Sequence, residues 1–237
     1  MATLIRVSQP RQRGGVTLLT LMLVGFSPAV AQRGGVTVAG KVSVVDKGNK
    51  QADDIGTTVI WLEGTGAPVA APKAMQVLTE EKEFRPHIAV VTVGSTVTFP
   101  NNDPFNHNVF SLDEEGKFDL GLYSRGQQAA SAKFMKPGLI RVYCNIHPQM
   151  SAFIVVRDNA YFTQPGADGS FSIAGVRPGT YTLHAWHERG AAATSKPITV
   201  TAVGVNDASL EIDARGYTFK PHLNKFGQPY PRGGVRY

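Results

Sequence analysis

Val142-Tyr143-Cys144-Asn145-Ile146-His147-Pro148-Gln149-Met150-Ser151 contains the chain's one cysteine, followed at steps of three by His147 and Met150. A thiolate, an imidazole and a thioether on one short loop form a soft donor set. With a second imidazole it becomes the set of a mononuclear copper site, trigonal in Cys and His with a weak axial thioether. The candidate for that imidazole is His107, in the upstream stretch Pro104-Phe105-Asn106-His107-Asn108-Val109-Phe110. Zinc favours four Cys or His donors, and iron–sulfur clusters require several cysteines, so neither can be assembled around Cys144 alone. The alternative is an inert, buried cysteine; the donors at three-residue steps favour ligation.

His107-Asn108-Val109 followed by Cys144-x-x-His147-x-x-Met150 resembles the cupredoxins, the blue copper proteins of the amicyanin and plastocyanin kind. The two-residue gaps are most similar to the amicyanin-type loop, and the resemblance covers roughly residues 76–157. It implies a Greek-key β-sandwich that holds one copper ion, cycling between Cu(I) and Cu(II), through His107, Cys144, His147 and Met150. It implies that Asn108 braces the two ligand loops from behind, and that the ring edge of His147 reaches the surface to pass an electron. Phe105 and Pro148, with Pro104, are expected to form an apolar rim there; Phe110, at strand spacing, is expected in the core. The implied partner is a redox protein such as a periplasmic dehydrogenase or a cytochrome. The chain departs from the family pattern at Ile146 and Asn106, where prolines often precede the two histidines.

The first residues read as an address. Arg6, Arg11 and Arg13 precede an apolar run over 16–26, and Ala29-Val30-Ala31 is a small-x-small cleavage site. Residues 1–31 are therefore expected to be a signal peptide, too short for a comfortable membrane span. The mature protein would be periplasmic or secreted, with no transmembrane segment. Losing those arginines takes the formal charge from +6 to +3, and residues 214–237 carry five cations and no acid, which leaves the body at −2. The basic character is thus local, and nothing in it points to nucleic acid. In an exported chain a single thiol cannot form an internal disulfide, which again favours a metal as its partner.

Short β-branched runs recur at 36–45, 57–62, 88–93, 96–99, 139–143, 152–156, 170–173 and 181–186, separated by glycine and proline turns. That pattern predicts an all-β protein built of sandwiches. Asp168-Gly169-x-Phe171 followed by Gly175-Val176-x-Pro178-Gly179-x-Tyr181 resembles a transthyretin-like or carboxypeptidase-regulatory-like sandwich. Residues 158–213 lack the opening strands of such a unit, and residues 36–66 supply strands of the right character. Two arrangements fit. In one, 36–66 and 158–213 form a smaller second sandwich split by the copper domain at 76–157, since a surface loop tolerates insertion. In the other, 36–66 are extra strands on the copper domain. The basic tail, 214–237, either wraps the body or stays mobile, and its charge suits an acidic partner or anionic lipid.

His87 reads as a hydrogen-bonded histidine. His184, His187 and Glu188 are a weak candidate for a second metal site, and Asn101-Asn102-Asp103 is a turn signal. No hydrolase or phosphate-cradling motif occurs, so an enzyme is not expected. The leading expectation is a one-electron carrier; copper storage or delivery, and a scaffold or interaction module, are the alternatives.

Overall fold

The computed structural model describes residues 34–127 and 130–230, so the expected signal peptide lies outside the described residues. In chain order the strands are β1 (Val36–Asp46), β2 (Lys50–Gln51), β3 (Val59–Glu63), β4 (Ala74–Gln76), β5 (Leu78–Glu80) and β6 (Glu83–Arg85). Next come β7 (Ile88–Thr92), β8 (Thr96–Phe99), β9 (His107–Ser111), β10 (Phe118–Tyr123), β11 (Ala130–Lys133) and β12 (Gly138–Cys144). The last are β13 (Ser151–Arg157), β14 (Phe162–Thr163), β15 (Ser170–Val176), β16 (Gly179–Trp186), β17 (Thr194–Val200) and β18 (Val205–Asp213). The protein is all-β: among the described residues only short 3-10 turns interrupt the strands, and no helix is long and apolar enough to cross a membrane.

Two sheets draw on both ends of the chain. β1 lies between β15 and β18, and β3 between β14 and β16, with β17 beyond. The pairing β3–β16 sets Leu62 against Leu183 and Ile60 against Ala185. Alternation along β15, β16 and β18 sends every second side chain inward, the signature of sheets with one wet face. Val38, Val42, Ile60, Leu62, Leu183 and Ile212 meet there in one core. Gly40 sits where β1 shifts register against β18, and a Cβ at that position would fall 1.5 Å from the Ala208 carbonyl oxygen. Glycine is required there by close backbone approach.

The intervening strands build a separate pair of sheets. One has the order β10-β9-β12-β13-β7, with β13 and β7 parallel; the facing one has β11-β8-β4. Phe99, Val109, Ile140, Val142 and Ile154 fill the space between them. A third apolar cluster joins the two halves: Val59 and Trp61 on β3 and Trp186 on β16 pack on Ile88, Val90, Phe153 and Val155 of β7 and β13. This explains why β3 reads as a nearly unbroken apolar run, since both its faces are covered. The His87 ring reinforces the seam, with Nδ1 3.0 Å from the Ser151 carbonyl and Nε2 2.9 Å from the Glu188 carboxylate.

Because β1 and β3 occupy interior positions, a fragment of residues 158–230 would carry β14, β15 and β18 with missing neighbours and half a core. It is expected to stay unfolded, with collapsed amide dispersion in a two-dimensional NMR spectrum. Adding residues 34–66 in trans is expected to restore dispersion, because the added segment supplies β1 and β3, the missing interior strands.

Candidate metal centre

Antiparallel pairing of β9 with β12 sets Cys144 opposite Val109, so the start of β9 and the end of β12 meet at one end of the sandwich. His107 opens β9 and Cys144 closes β12. The chain then turns through 145–150 before β13 begins, and two backbone bonds pin that loop: Cys144 N–H to the Met150 carbonyl (3.1 Å) and Met150 N–H to the His147 carbonyl (2.9 Å). The turn swings His147 back over Cys144. Cys144 Sγ lies 3.6 Å from His107 Nδ1 and 3.5 Å from His147 Nδ1. The three donor atoms all lie within 4.8 Å of one another. Bonds of about 2.3 Å to sulfur and about 2.0 Å to nitrogen, splayed by roughly 110–120°, separate S and N by about 3.6 Å, so the spacing suits one shared ion.

Cys144 and His107 are fully buried and His147 half-buried. Met150 is buried too and packs in the same core as Cys144, on the loop that carries His147. Its thioether is the fourth donor expected from the sequence.

The electrostatics favour a neutral metal-free site. Burial pushes the Cys144 thiol up, although backbone N–H groups of Asn108, Ile146 and His147 oppose that. Burial also lowers His107, against the pull of Asp103. Burial, with His107 and Lys82 nearby, brings His147 down to about 4. Both imidazoles are therefore unprotonated at neutral pH and free to donate a lone pair. The thiol must lose its proton when a metal arrives.

Asp103, which in sequence reads only as part of a polar turn, supports the site directly. Its carboxylate lies 2.8 Å from His107 Nε2, which fixes the ring with Nδ1 toward Cys144. It also accepts the Glu81 N–H at 2.7 Å and the Lys82 N–H at 3.0 Å, from the turn between β5 and β6. Asn101 completes the support: its Oδ1 accepts the Asp103 N–H, and its Nδ2 donates to the Phe105 carbonyl. A carboxylate four residues before a ligating histidine is the one available signal, and a turn of polar residues hides it.

Asn108 bridges the two ligand segments through its backbone, whose carbonyl accepts the Asn145 N–H at 2.9 Å. Its side chain turns away to Asp119 and the Gly121 carbonyl on β10. Phe105 is half-buried, with its ring 5.4 Å from both His107 and His147, so it roofs the two imidazoles. Pro148 is half-buried on the ligand loop and Pro104 is exposed. Phe110 is buried. The weak second cluster is not assembled: His184 stacks on Trp61 beside Glu63, His187 is buried against Thr57 and Asp54, and Glu188 holds His87.

Asp103→Asn keeps the shape of the side chain and removes the charge that orients His107. It is expected to weaken copper affinity by about 10–100-fold, read by competition with a chromophoric chelator, with the circular dichroism unchanged. The metal-free protein should also lose stability in acid. His147 falls from its ordinary 6.5 to about 4 in the folded state, so the unfolded chain binds more protons between those values. Stability then declines as pH drops through that window. Thermal melts of metal-free protein at several pH values between 7 and 4 check this, and His147→Asn should flatten the dependence.

Several known proteins are similar to parts of this chain. A protein family described as polysaccharide lyase family 4, domain II, matches residues 124–207, which run from just after β10 into the start of β18. That description is neither transthyretin-like nor carboxypeptidase-regulatory-like, and the match spans less than half of the chain. A copper-containing nitrite reductase from Thermus scotoductus SA-01 is similar over 40% of this chain, at 28% identity and a TM-score of 0.33, and only 24% of that longer chain is covered. A reduced amicyanin carrying a proline-to-phenylalanine substitution is similar over 41% of this chain and 99% of its own, at 25% identity and a TM-score of 0.33. A reduced amicyanin with a tryptophan-to-tyrosine substitution gives 24% identity, 41% and 98% coverage, and a TM-score of 0.34. No curated protein sequence matches the chain.

Proposed function

We propose that this protein is an exported type-1 copper protein that carries one electron at a time between redox partners. The observation that carries the reading is the buried Cys144 Sγ, held 3.5 and 3.6 Å from two imidazole Nδ1 atoms, with Met150 on the same loop. In this reading Cys144 as thiolate, His107, His147 and the thioether of Met150 would hold the copper ion. Bound copper supplies a centre that gains and loses one electron. The protein's own contribution is to hold its donors in one arrangement for both states. Asp103 fixes the His107 ring, the two backbone bonds across the loop fix His147, and Phe105 keeps water from the imidazole faces. Donors that need not move keep the cost of rearrangement low. The half-buried His147, with Phe105 and Pro148 beside it, is the face where a dehydrogenase or cytochrome would dock.

Export rests on the leader-like residues 1–31. The reading also takes 36–66 and 158–213 as one split sandwich, mounted on the copper domain at 76–157. It is supported by the interior positions of β1 and β3.

Copper storage or delivery is the competing use of the same donors. The buried, multiply braced thiol favours the carrier, because delivery needs a donor that a receiving protein can reach. Copper(II)-loaded protein is expected to show an intense visible thiolate-to-copper band, lost in Cys144→Ser, and a reversible voltammetric wave. A colourless copper-loaded protein that yields Cu(I) readily to a chelator would overturn the carrier reading and favour delivery.

A further inference from the structure

After β18 the described chain continues to Tyr230 as a strap across the copper half of the molecule. It leaves the other half at Ala214, whose N–H donates to the Val45 carbonyl at 2.9 Å. His222 then stacks on Tyr143, the neighbour of Cys144, at 4.3 Å and 16° between planes. The edge of Phe110 and the ring of Tyr230 close around the same imidazole, at 6.2 and 5.4 Å. Beyond it, residues 224–228 form a closed turn. Asn224 exchanges backbone bonds with Gln228 and Gly227, and its side chain accepts the Phe226 and Gln228 N–H groups. Gly227 takes the positive φ of 73° that the turn demands.

The turn and Tyr230 just beyond it make two direct contacts with the ligand segments and one through Asp119. The Lys225 N–H donates to Asn145 Oδ1 at 2.9 Å. Lys225 Nζ lies 2.8 Å from Asp119 Oδ2, while Asp119 Oδ1 accepts Asn108 Nδ2 at 2.7 Å. The Tyr230 hydroxyl donates to the Cys144 carbonyl at 3.0 Å. Asn145 and Cys144 begin the loop that carries His147 and Met150, and Asn108 follows His107. Lys225 thus ties both ligand segments to one point. The loop itself has Ile146 before His147, a residue that leaves the backbone free to rotate where a proline would fix φ.

We infer that the strap is a positioning element for the metal loop, with Lys225 and Tyr230 holding the segments of His107 and Cys144 in register and supplying from outside the rigidity that Ile146 does not. The strap needs no copper to do this, so one arm of the test is independent of the proposed function and the other rests on it.

The test uses the full chain with Lys225→Met and Tyr230→Phe combined, and Lys225→Arg as the conservative control. In metal-free protein, hydrogen exchange at the amides of Asn145, Ile146 and His147 is expected to accelerate about five- to tenfold, the loss of one or two modest hydrogen bonds. Amides inside β7 and β16 should be unchanged, which separates a loosened loop from a failed fold. Copper-loaded double variant should show a shifted reduction potential and faster copper loss to a chelator, both reversed in Lys225→Arg. Unchanged exchange at 145–147 in the double variant would overturn the inference. Accelerated exchange in a protein that never forms a coloured copper site would leave the strap standing and remove the copper reading instead.

Discussion

Everything at the candidate centre depends on the meeting of β9 and β12 at one end of their sheet. Backbone pairing there brings the start of β9 and the end of β12 together, so that Cys144 Sγ can lie 3.6 Å from His107 Nδ1. The remaining donors share a loop with Cys144, so that loop need only turn back on itself. Burial follows from the same placement: Cys144 and Met150 belong to the core between the sheets. A donor set built into a core moves only if the core moves, and packed interiors deform little. That stiffness suits the proposed one-electron carrier, whose donors would need to rearrange little between its two states.

Around this contact the polar groups serve orientation. Asp103 is itself nearly buried, and its cost of desolvation is offset by two backbone N–H groups and by His107. Asp119 acts similarly on the other side, linking Asn108, the Gly121 N–H and Lys225. Two carboxylates, neither of them among the candidate donors, thus hold the segments that carry those donors from behind. The cations of the strap are partly consumed in this way. Lys225 pairs with Asp119 and Arg215 with Asp213, so the local basic charge of that segment serves internal contacts as well as the surface.

The second half of the molecule is tied to the first along one broad seam. Trp186 meets Phe153 edge to face at 5.2 Å, the Arg157 guanidinium lies over Trp61 at 4.4 Å, and His87 reaches across to Glu188. Ser151, whose carbonyl accepts from His87, directly follows Met150. The seam therefore ends beside the ligand loop, and the mounting of the two halves bears on the loop's exit as the strap bears on its entry.

The all-β class is legible in the order of amino acids alone, because period-two runs broken by glycine and proline have few other solutions. So are the candidate donors, because a lone thiol with His147 and Met150 at three-residue steps is a chemical statement that needs no fold. Position likewise puts Phe105 at the imidazoles, whereas Phe110, expected in the core, is buried on the other face of β9 from Val109, against Tyr143 and His222. Contacts made between distant segments are a different matter. Asp103 reads as a turn until the β5–β6 hairpin is folded against it. The side chain of Asn108, expected between the ligand loops, points to β10, because strand alternation sets its face only once β9 has neighbours on both sides. His184, His187 and Glu188 look like a cluster in one dimension, but a strand end sends them to three separate partners. The strap appears in sequence as a basic, proline-rich tail. Tertiary folding alone stacks it on Tyr143 and bonds it to Asn145 and Cys144, since each of those contacts spans about eighty residues of chain.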